Sequence, residues 1–272
     1  AKNINCFKNG FRVIKDLNLK ISYSENVILI GPNGSGKSSL IEVINRNIYP
    51  VVDNESILKI FDKELINLWE VRKRISTVNN DIKKRIRPDL KVFDLIHSGL
   101  YGKYCFISNK SERDLYKVES IIKNMHISNL SKKNFSYLSD GEKQISLIAR
   151  ALIKKPDILI LDEPVANLDY KSKFFVIDKI NELSKLNTKI LCVTHDISMI
   201  TTIYDRVIML KDGKIIADGY QNKVINSENL QKLYGIEVEV TKDNGLWNIN
   251  RLSNNNYQKS YSNSKKNKFF TF

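Results

Sequence analysis

Apolar residues along this chain fall into two kinds of run. Short unbroken stretches, Val27–Ile30, Ile158–Leu161, Ile190–Val193 and Val207–Leu210, have the character of strands buried on both faces. Elsewhere apolar positions recur at helical spacing. Leu40, Ile41, Val43 and Ile44 do so between Ser39 and Asn47, with Pro50 closing the segment. The same spacing returns over Glu112–Met125 and Glu142–Ile153, and Val92 to about Ala151 reads as mainly helical. This alternation predicts an α/β fold with a parallel sheet covered by helices. Further strand candidates are Arg12–Ile14, Leu17–Ile21, Ser56–Phe61 and Ile75–Val78. Asp212-Gly213 predicts a hairpin turn between Val207–Leu210 and Lys214–Ala217. Asp243-Asn244-Gly245 predicts a second, between Glu237–Val240 and Leu246–Ile249. With no internal repeat visible, residues 1–250 are expected to form one unit, with a helical section over about 88–150.

Composition narrows the setting. The 272 residues are 42% hydrophobic and 27% charged, as in a soluble globular protein. No apolar run approaches the roughly 18 residues needed to cross a bilayer, and no charged-then-apolar leader opens the sequence, so cytoplasmic residence is expected. Cys6, Cys105 and Cys192 are far apart and read as reduced thiols; the three histidines are equally scattered, without zinc-ligand spacing. The net charge of +14 suits an anionic partner. Part of it sits in the Asn/Ser/Lys-rich segment 251–272, which carries no acidic residue and is expected to be disordered.

Residues 31–38 read Gly31-Pro32-Asn33-Gly34-Ser35-Gly36-Lys37-Ser38. Placed between a buried strand and a helix that continues from Ser39, this is the G-x-x-x-x-G-K-[ST] phosphate-binding loop in sequence and in setting. Its glycines turn backbone N–H groups toward a polyphosphate, and the helix N-terminus adds positive potential. Lys37 can reach the β and γ phosphates and the Ser38 hydroxyl can ligate Mg²⁺, which implies ATP with Mg²⁺ as cofactors. Residues 158–163, Ile-Leu-Ile-Leu-Asp-Glu, end a strand in two carboxylates. Asp162 suits Mg²⁺ held through water. Glu163 is then placed to take a proton from an attacking water, a role that contributes on the order of 10² to 10⁴-fold.

Between these parts lies Leu138-Ser139-Asp140-Gly141-Glu142, directly before a helical pattern; Ala166-Asn167-Leu168-Asp169 and Thr194-His195 follow the carboxylates. Over about residues 4 to 220 this order closely resembles the ATP-binding cassette (ABC) ATPases, whose hallmark is an L-S-G-G-Q-like pentapeptide before a helix. The resemblance implies a P-loop NTPase (RecA-like) core, an N-terminal antiparallel β subdomain, an inserted α-helical subdomain and ATP hydrolysis. It also implies a second copy packed head to tail. Ser139, Gly141, Glu142 and Asp169 of one copy would then close the other's nucleotide site, with Ser139 and the Gly141 backbone donating to the γ-phosphate. His195 matches the family's switch histidine at the γ-phosphate; taken alone it would more simply be a packed core imidazole. An adenine-stacking aromatic is expected about two dozen residues before the loop, where Phe7 fits best and Phe11 next, unless either serves the core.

Two positions depart from the family pattern. Asn80 aligns with a usual Gln that reaches Mg²⁺ and the attacking water; it keeps the amide but is about 1.5 Å shorter. Asp140 replaces a usual Gly and is expected to face away from the phosphates or to cap its own helix.

Transport would require separate integral membrane permease subunits and, for an importer, a substrate-binding protein. The cassette would then sit in the cytoplasm, peripheral on the inner face of the cell membrane. Leu233–Val238 with Gly245-Leu246-Trp247 resembles the C-terminal pattern of ferric-siderophore, cobalamin and metal-ion importer ATPases. Residues Arg74 to Tyr104 resemble a subgroup linked to molybdate uptake or photorepair. The alternative is a soluble ABC ATPase acting on nucleic acid, which would use the basic stretch Lys83–Arg87 and the cationic tail.

Overall fold

The computed structural model describes residues 1–51, 55–183, 187–243 and 245–252. The tail beyond Leu252 and Asn244 of the second predicted turn lie outside them.

Strands β1 (Ile4–Lys8) and β2 (Phe11–Leu17) form an antiparallel hairpin. Asn9 and Gly10 turn it, both at positive φ (51° and 81°), as a tight hairpin of right-handed twist requires. The expected strand Leu17–Ile21 does not form. Leu19 instead donates its N–H to the Ala1 carbonyl at 3.0 Å and buries its side chain, so its apolar character serves packing rather than pairing. The expected strand Ser56–Phe61 is likewise reduced to isolated bridges at Ile57 and Ile60. Phe61 and Asp62 take positive φ (52° and 64°) and turn the chain away.

After the hairpin come β3 (Val27–Ile30), α1 (Lys37–Ile44), α2 (Leu68–Arg74) and β4 (Ile75–Val78). Helices α3 (Val92–Ser98), α4 (Glu112–Asn124) and α5 (Asp140–Leu152) follow and pack on one another; they account for the helical pattern between residues 88 and 150. Then come β5 (Ile158–Asp162), α6 (Tyr170–Leu183), β6 (Lys189–Thr194), β7 (Arg206–Lys211) and β8 (Lys214–Gly219). The chain continues through α7 (Gln221–Val224), α8 (Ser227–Tyr234) and the hairpin β9 (Val238–Asp243) and β10 (Leu246–Arg251).

The central sheet has six strands in the order β4-β5-β6-β3-β7-β8, parallel except for β8, which folds back on β7 through Asp212-Gly213. Both faces of β3 are buried, and its side chains alternate between two cores. Val27 and Leu29 pack with the N-terminal hairpin and α1, whereas Ile28 and Ile30 pack with the helical side. Here the continuous apolar run acquires its physical reason. The registers align Ile30 with Thr194 and Asp162 with Val193, so the phosphate loop, the carboxylates and His195 leave the sheet at one edge. Ligands of open α/β sheets bind at such carboxyl ends.

Candidate functional site

The phosphate loop is held by backbone contact. Gly36 sits at φ 103°, and a Cβ there would meet the Val13 carbonyl oxygen at 2.7 Å. It precedes α1, whose N-terminus has no side-chain cap and no acidic residue in its first turn. The first-turn N–H groups therefore have no intrahelical partner and favour an anion. Lys37, only 6% exposed, donates from Nζ to the carbonyls of Gly31 (2.9 Å) and Pro32 (3.0 Å) and lies 3.7 Å from Glu163 Oε1. Burial lowers its pKa, opposed by the charges of Glu163 and Asp162.

Asp162 closes β5 with one carboxylate oxygen, Oδ1, buried and without a hydrogen-bond partner. Burial raises its pKa to about 6, and the Glu163 charge adds to the rise; Lys37 and a hydrogen bond with Ser38 oppose it. A strained-for-partner carboxylate oxygen beside a serine hydroxyl is a donor pair of the hard-oxygen kind that Mg²⁺ prefers, so Ser38 and Asp162 fit that ion. Glu163 has a positive φ of 51°, an uncommon backbone state for a residue with a Cβ. Its N–H bonds the Val193 carbonyl at 2.8 Å. Its Oε2 accepts from Thr194 Oγ1 at 3.1 Å and lies 2.9 Å from His195 Nδ1.

Asn80 donates its amide to the Glu163 carbonyl at 3.4 Å, while Asn79 accepts from the Ile82 N–H and caps its own turn. Asn80 is thus the member of the pair directed at the Glu163 backbone. His195 is 47% exposed, which overturns its reading as a core imidazole. Phe7 and Phe11 are likewise not core residues, at 50% and 76% exposure on the hairpin.

A second group gathers at the N-terminus of α5. The Ser139 hydroxyl accepts from the Glu142 N–H (3.2 Å), and the Glu142 carboxylate accepts from the Ser139 N–H (2.8 Å), a complete capping box. Asp140 is therefore not the cap; it faces solvent and pairs with Lys143 at 3.4 Å. Burial works to raise the Glu142 pKa, but the Ser139 hydrogen bonds and Lys133 outweigh it and hold the group low. Gly141 packs on Ser172, 3.1 Å from where a Cβ would sit, and Ser172 donates its N–H and hydroxyl to Asp169 (both 2.9 Å). Ser172 joins the four expected trans residues into one surface and was missed from sequence. Its only signal was the Asp-x-x-Ser spacing of a helix start. Thr194, which holds Glu163, carries no sequence signal of that role beyond adjoining His195. Among the described residues, no hydrogen bond or ion pair joins this group to the Lys37–Glu163–His195 group.

The ABC transporter family model matches residues 14–166, more than half of the chain. The chain belongs to that family. It is the ATP-binding subunit of an ABC transporter, an ATPase that uses ATP with Mg²⁺. YmeB, an ABC transporter ATP-binding protein of Lactococcus lactis, is 32% identical over 243 residues, covering 88% of this chain and 93% of that protein. The structure of cbiO1 from Clostridium perfringens, part of the transporter complex cbiONQ, superposes with a TM-score of 0.68 at 25% identity, covering 85% and 91% of the two chains. A dimeric post-hydrolysis state of the cassette MJ0796, bound to ADP and Pi, superposes with a TM-score of 0.64 at 26% identity, covering 80% and 97%. The expected fold class holds in full: a parallel-dominated P-loop core carrying an antiparallel β element and a helical section. No helix among the described residues is long and apolar enough to cross a membrane.

Proposed function

We propose that this ABC ATPase powers an importer, acting at the inner face of the cell membrane on permease subunits supplied in trans, with a substrate-binding protein delivering an iron chelate, metal or oxyanion. Two copies pack head to tail, and ATP is the ligand between them. One observation carries the chemistry: Glu163 stands with Lys37 on one oxygen and Thr194 and His195 on the other, beside the unpartnered Asp162 Oδ1. Lys37 leaves the Gly31 and Pro32 carbonyls for the β and γ phosphates; residues 31–36, Ser38 and Ser39 surround them, all but Pro32 able to offer backbone or hydroxyl donors. Glu163 accepts the proton of the attacking water, His195 contacts the γ-phosphate, and Phe7 stacks on adenine. Ser38, Asn80 and Asp162 would hold Mg²⁺, which when bound would offset phosphate charge.

The partner's share comes from the α5 end. The Ser139 oxygen is used as a cap acceptor, which leaves its hydrogen free to donate to a γ-phosphate. Asp169 and Gly141 shape the same surface. The dimeric MJ0796 cassette supports the pairing and the cbiONQ assembly supports membrane partners. The importer assignment leans on the C-terminal extension, which folds as α8 and the β9–β10 hairpin. A nucleic-acid role gains no comparable support: in the basic stretch, Lys84 pairs with Asp81 and Arg87 with Asp89.

The Glu163→Gln variant tests this reading. It should bind ATP with near-normal affinity, lose at least about 100-fold in turnover, and accumulate as a dimer with Mg²⁺–ATP in sedimentation. Normal hydrolysis would remove Glu163 as the base. A variant that stays monomeric with ATP bound would remove the dimer.

A further inference from the structure

The C-terminal extension touches the site at one atom. The Tyr234 hydroxyl, at the end of α8, donates to the backbone carbonyl of His195 at 3.2 Å. Six residues further along the same loop, a second clamp appears. Buried Gln221 donates to the carbonyls of both Thr201 and Tyr204 at 2.7 Å, and its own carbonyl accepts from Trp247 Nε1 of β10 at 3.1 Å. Trp247 is fixed in turn, with Lys242 over its ring at 4.7 Å. Strand β10 packs on the short helical turn Ile197–Met199 between the two clamps. The segment from His195 to Tyr204 is thus gripped at both ends by residues that follow the catalytic machinery in sequence.

We infer that Tyr234 is a positioning residue for ATP hydrolysis: its hydroxyl fixes the His195 carbonyl, and through it the imidazole that faces Glu163. This rests on the assignment of His195 to the γ-phosphate. The loop is also held through Asp196, whose N–H donates to Thr194 Oγ1 at 3.0 Å and whose carboxylate accepts from Ser198, but among the described residues Tyr234 is the hydrogen-bond donor to the His195 carbonyl. The His195 N–H reaches Glu163 Oε2 only at 3.4 Å, and its side chain is half exposed. Asp196 is tied to Lys173 at 2.6 Å, and its N–H holds the other side of the same peptide unit on Thr194, so the Tyr234 hydroxyl completes the clamp at the carbonyl. Burial, and then the charges of Asp196 and Glu163, push the Tyr234 phenol up to about 12, so it remains a donor at any working pH. The C-terminal extension therefore bears on the rate of turnover and not only on folding.

Tyr234→Phe deletes the hydroxyl and keeps the ring. In the full chain, single-turnover hydrolysis should slow about 3- to 10-fold, the share of one hydrogen bond, while KM for ATP stays within about 2-fold. Trp247→Phe, which removes the donor to Gln221, should slow it less and in the same manner. In a His195→Ala background the Tyr234→Phe change should cost nothing further, because the group it positions is gone. A wild-type rate for Tyr234→Phe, an undiminished effect in the His195→Ala background, or a KM rise at constant kcat would each overturn the inference. Full turnover by His195→Ala alone would instead overturn the His195 assignment, and the inference with it.

Discussion

Two helix N-termini in this molecule, both expected to face phosphate, are built in opposite ways. That of α1 is bare: glycine in the left-handed region stands at the cap, no side chain covers the N–H groups and no carboxylate lies in the first turn. That of α5 is closed by a full capping box and carries Asp140 and Glu142. The bare end needs a ligand to satisfy its donors, and its geometry relies on glycine at positive φ and on close backbone contact. The capped end is stable by itself and offers a hydroxyl hydrogen rather than a set of open amides. In one copy of the chain, then, the α1 end is unfinished while the α5 end is self-sufficient. That difference is what a shared site between two copies calls for. Under the proposed pairing, one surface would bind nucleotide and the other would meet it without refolding.

Substituting the glycine of each end tests the contrast most severely. Gly36→Ala places a Cβ 2.7 Å from the Val13 carbonyl at φ 103°, so strain and clash both apply. The variant should lose ATP binding and about 3 kcal/mol or more of stability. Gly141→Ala meets the Ser172 Cβ at 3.1 Å, at an ordinary helical φ where alanine is favoured by up to about 1 kcal/mol. It should retain ATP binding and unfold, in urea titrations, at least about 1 kcal/mol more stably than Gly36→Ala. Equal losses in the two variants would erase the distinction between an end that requires glycine and a self-capped one.

Most of the unfinished site was legible in the sequence because its parts are local. The loop 31–38 and the run 158–163 each carry their own turn and strand, and buried parallel strands read as unbroken apolar runs. Expectations failed where apolar residues pack without pairing, at Leu17–Ile21 and Ser56–Phe61, since periodicity reports burial and not the hydrogen-bond ladder. The joining contacts were invisible for another reason. Ser172 under Gly141 and Tyr234 on His195 link segments about 30 and 39 residues apart, and no sequence period encodes them.

Asp162 sharpens the comparison through pH. Its folded pKa of about 6 stands above the model-peptide value of 3.8, so the folded state binds more protons between those limits. Stability of the metal-free protein therefore falls as pH rises through that window, by no more than about 3 kcal/mol from this group. Glu142 at the capped end behaves oppositely: it is held low, and its contribution is lost as pH falls. Asp162→Asn should remove the first effect and leave the second. Unfolding free energies at pH 4.5 and pH 7.5 should then differ less favourably for acid in the variant than in the wild type, while its hydrolysis is lost. An unchanged pH difference would mean that Asp162 is not the buried, unsatisfied group described here.

Asn80 should give the smallest effect. Its amide reaches the Glu163 carbonyl at a long 3.4 Å, and that carbonyl already accepts the Ala166 N–H at 3.2 Å. The contact is thus a second, weak hold on a strained residue whose side chain has stronger partners in Thr194 and His195. Asn80→Gln lengthens the reach by about 1.5 Å and can trade the carbonyl for Mg²⁺ or the attacking water. Both states leave Glu163 in place, so kcat should move by less than about 3-fold, a few tenths of a kcal/mol. The Mg²⁺ concentration for half-maximal turnover is the more sensitive readout and should fall. A loss beyond about 10-fold would mean that the short amide is matched to Glu163 and that the bare site is more completely built than its long contact implies.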